Sequence, residues 1–388
     1  MERLLSVRDD VLRAVSPLEP EEVALHDASG RVLAEDALAH AASPPFACAA
    51  MDGYAVRAAD ASEGARLTVV DTVFAGDAAA RSVGRGEAAR IFTGGRLPAG
   101  ADAVVMQEVV TVEGDRARIG RPVGAGENVR QAGEDLALGA VALRAGTRLG
   151  ARQVALLVSV GAVRVAVRRR PRVVVISTGE EIVGGSVPDS NGPAVAGVLR
   201  AAGAQVATRA VGDGLEAIAG ALTQALADAD AVVTVGGVSV GERDHVAAAV
   251  TRAGGETRVH GVPMKPGKPF LFALAEGKPI LGLPGSPSAC LVALEVFARP
   301  AILRLSGAAR VERRAIRVAL AAPAAGRPGR ARLLWAVLEP GGRARPLGRD
   351  SAQVRGPALA DALLLVPEAA GELPAGAEVQ AWLLDDDA

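Results

Sequence analysis

RVVVISTGEE, residues 172–181, and DAVVTVGGVSVG, residues 230–241, decide the fold. Each is a short apolar run, mostly β-branched, that stops at glycine and polar residues. A continuous apolar run bounded by turn signals is the pattern of a strand buried on both faces. Around these runs the period changes to that of helices, at 191–202, 214–227 and 244–253, with QVATRAVGD (205–213) as a further strand. Strands alternating with helices predict an α/β sheet with parallel crossovers. PFLFALAEGKPILGLPGSPSA (269–289) adds a strand, a turn and a strand, and the helical text ACLVALEVFARPAILRLSG (289–307) closes the unit.

Outside this unit the texture differs on both sides. VAVRRRPRVVVIS (165–177) marks a boundary by its basic run and Pro171. Residues 68–134 hold short β-branched runs between Gly and Asp turns, among them EAARIFTGG (87–95) and ADAVVMQEVV (101–110). LALGAVALRAGTRL (136–149) leads into a helical ARQVALLVSVG (151–161). At the start, Val7, Val11 and Leu12 predict a helix over 7–13 that Pro17 ends. A second element is expected over 21–24, and ASPPFACAAMDGYAV (42–56) reads as a loop. After residue 308, short strands between Gly/Pro turns predict a small β-barrel.

Composition sets the bounds. A chain of 388 residues is long for one domain. A hydrophobic fraction of 50% and a charged fraction of 22% exclude pervasive disorder. The net charge is −1, so the basic excess that marks a nucleic-acid binder is missing. Two cysteines, Cys48 and Cys290, make no disulfide framework. His26, His40, His245 and His260 show no metal-ligand spacing. No signal-peptide pattern and no apolar run of membrane length is seen, so a soluble cytoplasmic protein is expected. The chain writes Arg almost everywhere. Lysine occurs only at Lys265, Lys268 and Lys278, asparagine only at Asn128 and Asn191, and tyrosine only at Tyr54.

The polar loops of the α/β unit fall where such sheets bind ligands, beyond the carboxyl ends of the strands. GGVSVG (236–241) reads either as a strand-to-helix turn or as a cradle whose N–H groups approach an anion. MKPGKPF (264–270) places two ammonium groups on a proline-stiffened loop, which suits an oxyanion better than a plain basic turn. Glu180, Glu181, Asp189, Asp213, Glu242 and Asp244 occupy loops of the same unit. Carboxylates beside a phosphate commonly hold Mg²⁺. AMDGYAV (50–56) reads as a hairpin turn presenting Asp52.

Taken together, AMDGYAV, RIFTGGRLPAGADAVVMQE, GENVRQAGED, ISTGEE, GGVSVGERD, KPGKPF and GLPGSP occur in the order of the MoeA family, the molybdopterin molybdenumtransferases, and the chain resembles that family over nearly its full length. The E domain of gephyrin is similar. The resemblance implies Mg²⁺-dependent insertion of molybdate into adenylated molybdopterin, with release of AMP, by a homodimer. The adenylyltransferase and the recipient apoenzymes are further partners; neither nucleic acid nor membrane is implied. It also implies four units: 1–40 with 137–168, an inserted β-rich domain at 41–136, a three-layer α/β molybdopterin-binding domain at 169–307 and a β-barrel at 308–388.

By matching position, the resemblance assigns catalytic roles to Asp52, Asp135, Glu181, Asp213 and Asp244, with Glu181, Asp213 and Asp244 as metal ligands. Substrate binding falls to Thr178, Gly179, Asn191, Gly236, Gly237, Val238, Ser239, Gly241, Lys265, Pro266, Gly267, Lys268, Pro284, Gly285, Ser286 and Pro287. The sequence departs from the family at Glu180, where Asp is usual, at Ser286, where Asn is usual, and at Gly214, where a second acid is usual. Two other readings are a molybdopterin adenylyltransferase and a non-catalytic gephyrin-like scaffold. The inserted domain and the barrel argue against the first, because MogA-type adenylyltransferases share only the α/β domain. The retained acids and lysines argue against the second.

Overall fold

In a computed structural model, which describes residues 1–239, 241, 244–348 and 354–384, the two deciding runs are neighbouring strands. Arg172–Thr178 and Ala231–Val235 pair in parallel, Val173 opposite Ala231. Gln205–Val211 lies outside the first, and Lys278–Leu283, Leu271–Ala275 and Glu256–His260 continue beyond the second. The parallel expectation holds for the first four of these strands in spatial order. Leu271–Ala275 runs against both of its neighbours. Glu276 and Gly277 account for the reversal: with φ of +50° and +76° they form a two-residue hairpin turn.

Alternation along the central strands builds three layers. Val173 and Val175 face the helix Asn191–Ala201 and the helical run from Pro287 to Leu305. Val174 and Ile176 face the helices Leu215–Asp228 and Val246–Arg252. Leu199, Leu222 and Ile280 are fully buried there, each worth roughly 1.5–3 kcal/mol of burial. The closing helix is not uniform: Leu294–Ala298 is a π-helical turn.

The other units attach to this one. The N-terminal helix is longer than periodicity predicts, Glu2–Arg13, because Leu4 is fully buried in the same core as Ile302. Pro20–Ala24 pairs antiparallel with Arg164–Arg168, joining the first and last parts of the N-terminal region. Between them, the inserted region forms a six-stranded sheet. Its central strands are Gly53–Val56, Glu87–Ile91 and Arg66–Val73. The stretch 42–56, expected as loop, therefore contributes the strand Gly53–Val56, whose residues are all buried. At the boundary Arg169 grips Asp230 with two hydrogen bonds of 2.7 and 2.9 Å.

The expected C-terminal barrel is a closed ring of five strands. Ala331–Glu339, Arg343–Pro346, Ala315–Leu320, Glu378–Leu383 and Ala362–Val366 pair in that order, and the last pairs back to the first. Leu334, Ala336, Leu364 and Ala381 belong to the barrel's own core. Their neighbours Leu333, Trp335, Leu363 and Trp382 join the core of the α/β unit. Trp335 Nε1 donates to Ser288 Oγ across that junction at 2.9 Å.

Candidate active site

A pocket of about 360 Å³ opens at the carboxyl ends of the central parallel strands. Ser177 and Thr178 end the first of these strands, and Val235 ends its neighbour; all three line the pocket. So do Glu181, Asp189, Asn191, Asp213, Gly236, Gly237, Asp244 and Gly285. Three acids far apart in sequence, Glu181, Asp213 and Asp244, thus line one pocket because their strands end side by side.

Short hydrogen bonds fix the rim. Thr178 Oγ1 donates to the Val235 carbonyl at 3.2 Å, pinning the two strand ends together. Gly236 and Gly237 take φ of +91° and +62°. A methyl group on Gly236 would stand 2.8 Å from Thr178 Oγ1, so glycine is required for this turn to close on its neighbour. Asp244 Oδ2 accepts the Gly241 N–H at 2.7 Å. Asp189 accepts the Ser177 hydroxyl at 2.6 Å and the Gly192 N–H at 2.8 Å. Asn191 Nδ2 donates to the Gly285 carbonyl at 2.7 Å, which ties the start of a helix to the LPGSP loop.

Not every expected residue lines the pocket. Val238 is buried in the core, and its carbonyl accepts a hydrogen bond from the His260 ring at 3.0 Å. Ser239 and Gly241 are exposed on the loop beyond. Pro284 and Ser286 flank Gly285, and Pro287 begins the helix Pro287–Ala293. Gly179 is buried directly before the turn that carries Glu181. Glu242 lies outside the described residues.

Lys265 and Lys268 are exposed on a separate loop and do not line the pocket. Met264–Lys265 pairs in parallel with the first residues of Ala331–Glu339, so this segment joins the α/β unit to the barrel. Pro266 follows a cis peptide bond, and Gly267 takes φ of +100°. A methyl group on Gly267 would meet Met264 Cε at 2.3 Å. The third lysine has a structural role: Lys278 Nζ caps the Leu226 carbonyl at the end of a helix.

The inserted unit holds a second polar cluster. Asp52 Oδ1 accepts both the Thr93 hydroxyl, at 2.7 Å, and the Thr93 N–H, at 2.8 Å. The hydroxyl first, and then the backbone N–H, hold the Asp52 carboxyl below its ordinary range. Arg90 lies over the Tyr54 and Phe92 rings at 5.1 and 4.8 Å. It donates to the Gly53 carbonyl at 3.1 Å and to Gln107. Asp135 accepts the Ser43 hydroxyl at 3.3 Å. The RIFTGG motif carried the signal for Thr93, but sequence spacing alone does not reveal its pairing with Asp52. Asp189 was legible only as a loop acid.

Comparison with known proteins finds a match along most of the chain. Residues 4–161 match the MoeA N-terminal region (domain I and II), 174–304 a probable molybdopterin binding domain, and 317–384 the MoeA C-terminal region (domain IV). A molybdopterin molybdenumtransferase from Staphylococcus aureus is 34% identical over 324 residues, covering 79% of this chain and 77% of the relative. The chain belongs to the MoeA family. A Nostoc protein of the same name is 37% identical over 311 residues, 76% of this chain and 71% of that one. The crystal structure of a molybdopterin biosynthesis MoeA protein from Pyrococcus horikoshii superposes with a TM-score of 0.85 at 29% identity, over 98% of this chain and 99% of the other. Another structure of a MoeA protein from that organism gives 0.79 at 33% identity, over 98% of each chain.

The donor set suits a magnesium ion that substrate completes. Among the described residues, no three His, Cys, Asp or Glu side chains are grouped closely enough to hold a metal by themselves. Mg²⁺ usually takes only one or two carboxylates, with phosphate oxygens and water filling the rest. A pocket with separated acids and a glycine-lined turn meets that requirement.

Proposed function

We propose that this MoeA-family protein is a molybdopterin molybdenumtransferase, inserting molybdate into adenylated molybdopterin with Mg²⁺ and releasing AMP. The observation that carries the reading is that Glu181, Asp213 and Asp244 line one pocket with the Gly236–Gly237 turn. That turn brings backbone close to an anionic group, and the start of the 191–201 helix adds a favourable partial charge. Glu181, Asp213 and Asp244 would hold the cation. When bound, Mg²⁺ supplies charge stabilisation as the phosphoanhydride is cleaved. Asn191 and Asp189 keep the rim in shape around the reacting groups, and Lys265 and Lys268 attract the anions towards it.

The working form is a homodimer, in which Asp52 of one subunit serves the pocket of its partner. Among the described residues, the pocket wall includes none from the inserted unit, which motivates the trans arrangement. Incubation of the purified protein with adenylated molybdopterin, molybdate and Mg²⁺ is expected to release AMP and yield a cofactor that activates a molybdoenzyme apoprotein. Pyrophosphate formation from ATP and molybdopterin, without AMP release, would instead assign the adenylyltransferase step.

A further inference from the structure

Two adjacent acids on one helical turn, Glu180–Val183, serve different neighbours. Glu181 lines the pocket. Glu180 does not; its Oε1 accepts the Asp213 N–H at 3.1 Å. The same carboxylate lies against Gly212, where a methyl group would stand 2.1 Å from Oε1 and 2.9 Å from the carboxyl carbon. Gly212 is not among the glycines with positive φ. Its missing side chain therefore serves the approach of Glu180 rather than an unusual backbone conformation. A second tie runs between the same segments, from the Gly179 N–H to the Val211 carbonyl at 3.0 Å.

We propose that Glu180 is a positioning residue that holds Asp213 at the pocket wall, and that Gly212 leaves the space through which it reaches. The inference deepens the proposed reaction and rests on it for what Asp213 does. The acceptor is a side-chain oxygen, so an amide oxygen at the same distance can replace it. A side chain one methylene shorter loses about 1.5 Å of reach, more than a hydrogen bond tolerates. Gly212→Ala is the most selective probe. Its clash is with the far end of a flexible side chain, so the chain folds while the Glu180 carboxylate is displaced.

The test measures hydrogen exchange of the 211–216 segment, together with the KM for adenylated molybdopterin and the Mg²⁺ concentration giving half-maximal rate. Glu180→Ala, Glu180→Asp and Gly212→Ala are expected to speed exchange at Asp213 and to raise both concentrations about tenfold, the scale of one lost hydrogen bond. Glu180→Gln is expected to keep wild-type exchange and to stay within about twofold. The Glu180→Ala/Gly212→Ala double variant is expected to be no worse than the poorer single one, because both changes break the same contact. Wild-type exchange in all variants would overturn the proposal. So would a Glu180→Gln protein as impaired as Glu180→Ala, since the charge itself would then act on substrate. A wild-type protein that forms no cofactor would sink the reaction, while the exchange arm would still decide whether Glu180 holds Asp213.

Discussion

The α/β pocket and the Asp52 cluster both present acids, yet they are built in opposite ways. In the pocket, the acids sit on loops from separate strands, and the rim is shaped by bonds such as Asp244 to the Gly241 N–H. No three acidic, cysteine or histidine side chains there form a ready metal cage among the described residues. In the inserted unit a single carboxylate is fixed on one residue, Thr93, by two bonds to the same oxygen. Arg90, spread over two aromatic rings, stands behind it. The pocket acids are spread over several loops, whereas the Asp52 carboxyl is held below its ordinary range by one residue, Thr93. The proposed function brings the two regions into one composite site.

The comparison breaks first at the pocket. Replacing both Asp213 and Asp244 by Asn is expected to lower AMP release at least about a hundredfold and to leave the melting temperature nearly unchanged, since both acids lie at the rim. Wild-type Mg²⁺ dependence in that variant would remove them from the metal site.

A smaller effect is expected at the boundary, where the Arg169–Asp230 pair supports stability. Burial raises the Asp230 carboxyl, but the two Arg169 bonds and the Arg172 N–H together outweigh it and hold its pKa low. A carboxyl depressed in the folded state stabilises above its unfolded pKa, and that contribution is lost as pH falls below it. Asp230→Asn is therefore expected to cost about 1–3 kcal/mol at neutral pH, measured by denaturant unfolding. The gap from wild type should begin to narrow as pH falls through the ordinary carboxylate range, about 4, and go on narrowing below it. A gap that stays constant over that range would show that charge is not the source.

The smallest effect concerns Asp52 itself. Thr93→Val removes the hydroxyl and leaves the backbone donor, so the Asp52 titration is expected to move up towards the ordinary carboxylate range. Carboxyl-carbon NMR reads this directly. An unmoved titration would mean that the Thr93 hydroxyl does not set the charge of Asp52.

Much of the architecture was legible because the central strands are continuous apolar runs and their helices carry clear periodicity. Leu4 lengthens the first helix through a contact with a helix near residue 300, which local pattern cannot show. The reversal at Leu271–Ala275 was legible as a strand, a turn and a strand, and its Glu-Gly turn takes two positive φ values. The acids of the pocket were named from motifs, while the holding of Asp213 by Glu180 and of Asp52 by Thr93 joins residues 33 and 41 positions apart. Lys265 and Lys268 show the converse. Their rarity marked them, yet their loop joins two units instead of lining the pocket. Asn191 and Lys278, also of types rare in this chain, tie a helix start to a loop and cap a helix.

The claim that the two regions form one site is tested most directly by mixing subunits. Asp52→Ala and Asp244→Ala proteins are each expected to be inactive. In a mixed two-fold dimer, one composite site receives both lesions and the other receives neither. Random exchange makes half the dimers mixed, so AMP release should recover to roughly a quarter of the wild-type rate by this symmetry. Verified subunit exchange with no recovery would contradict the account, placing Asp52 outside the site or in the pocket of its own chain.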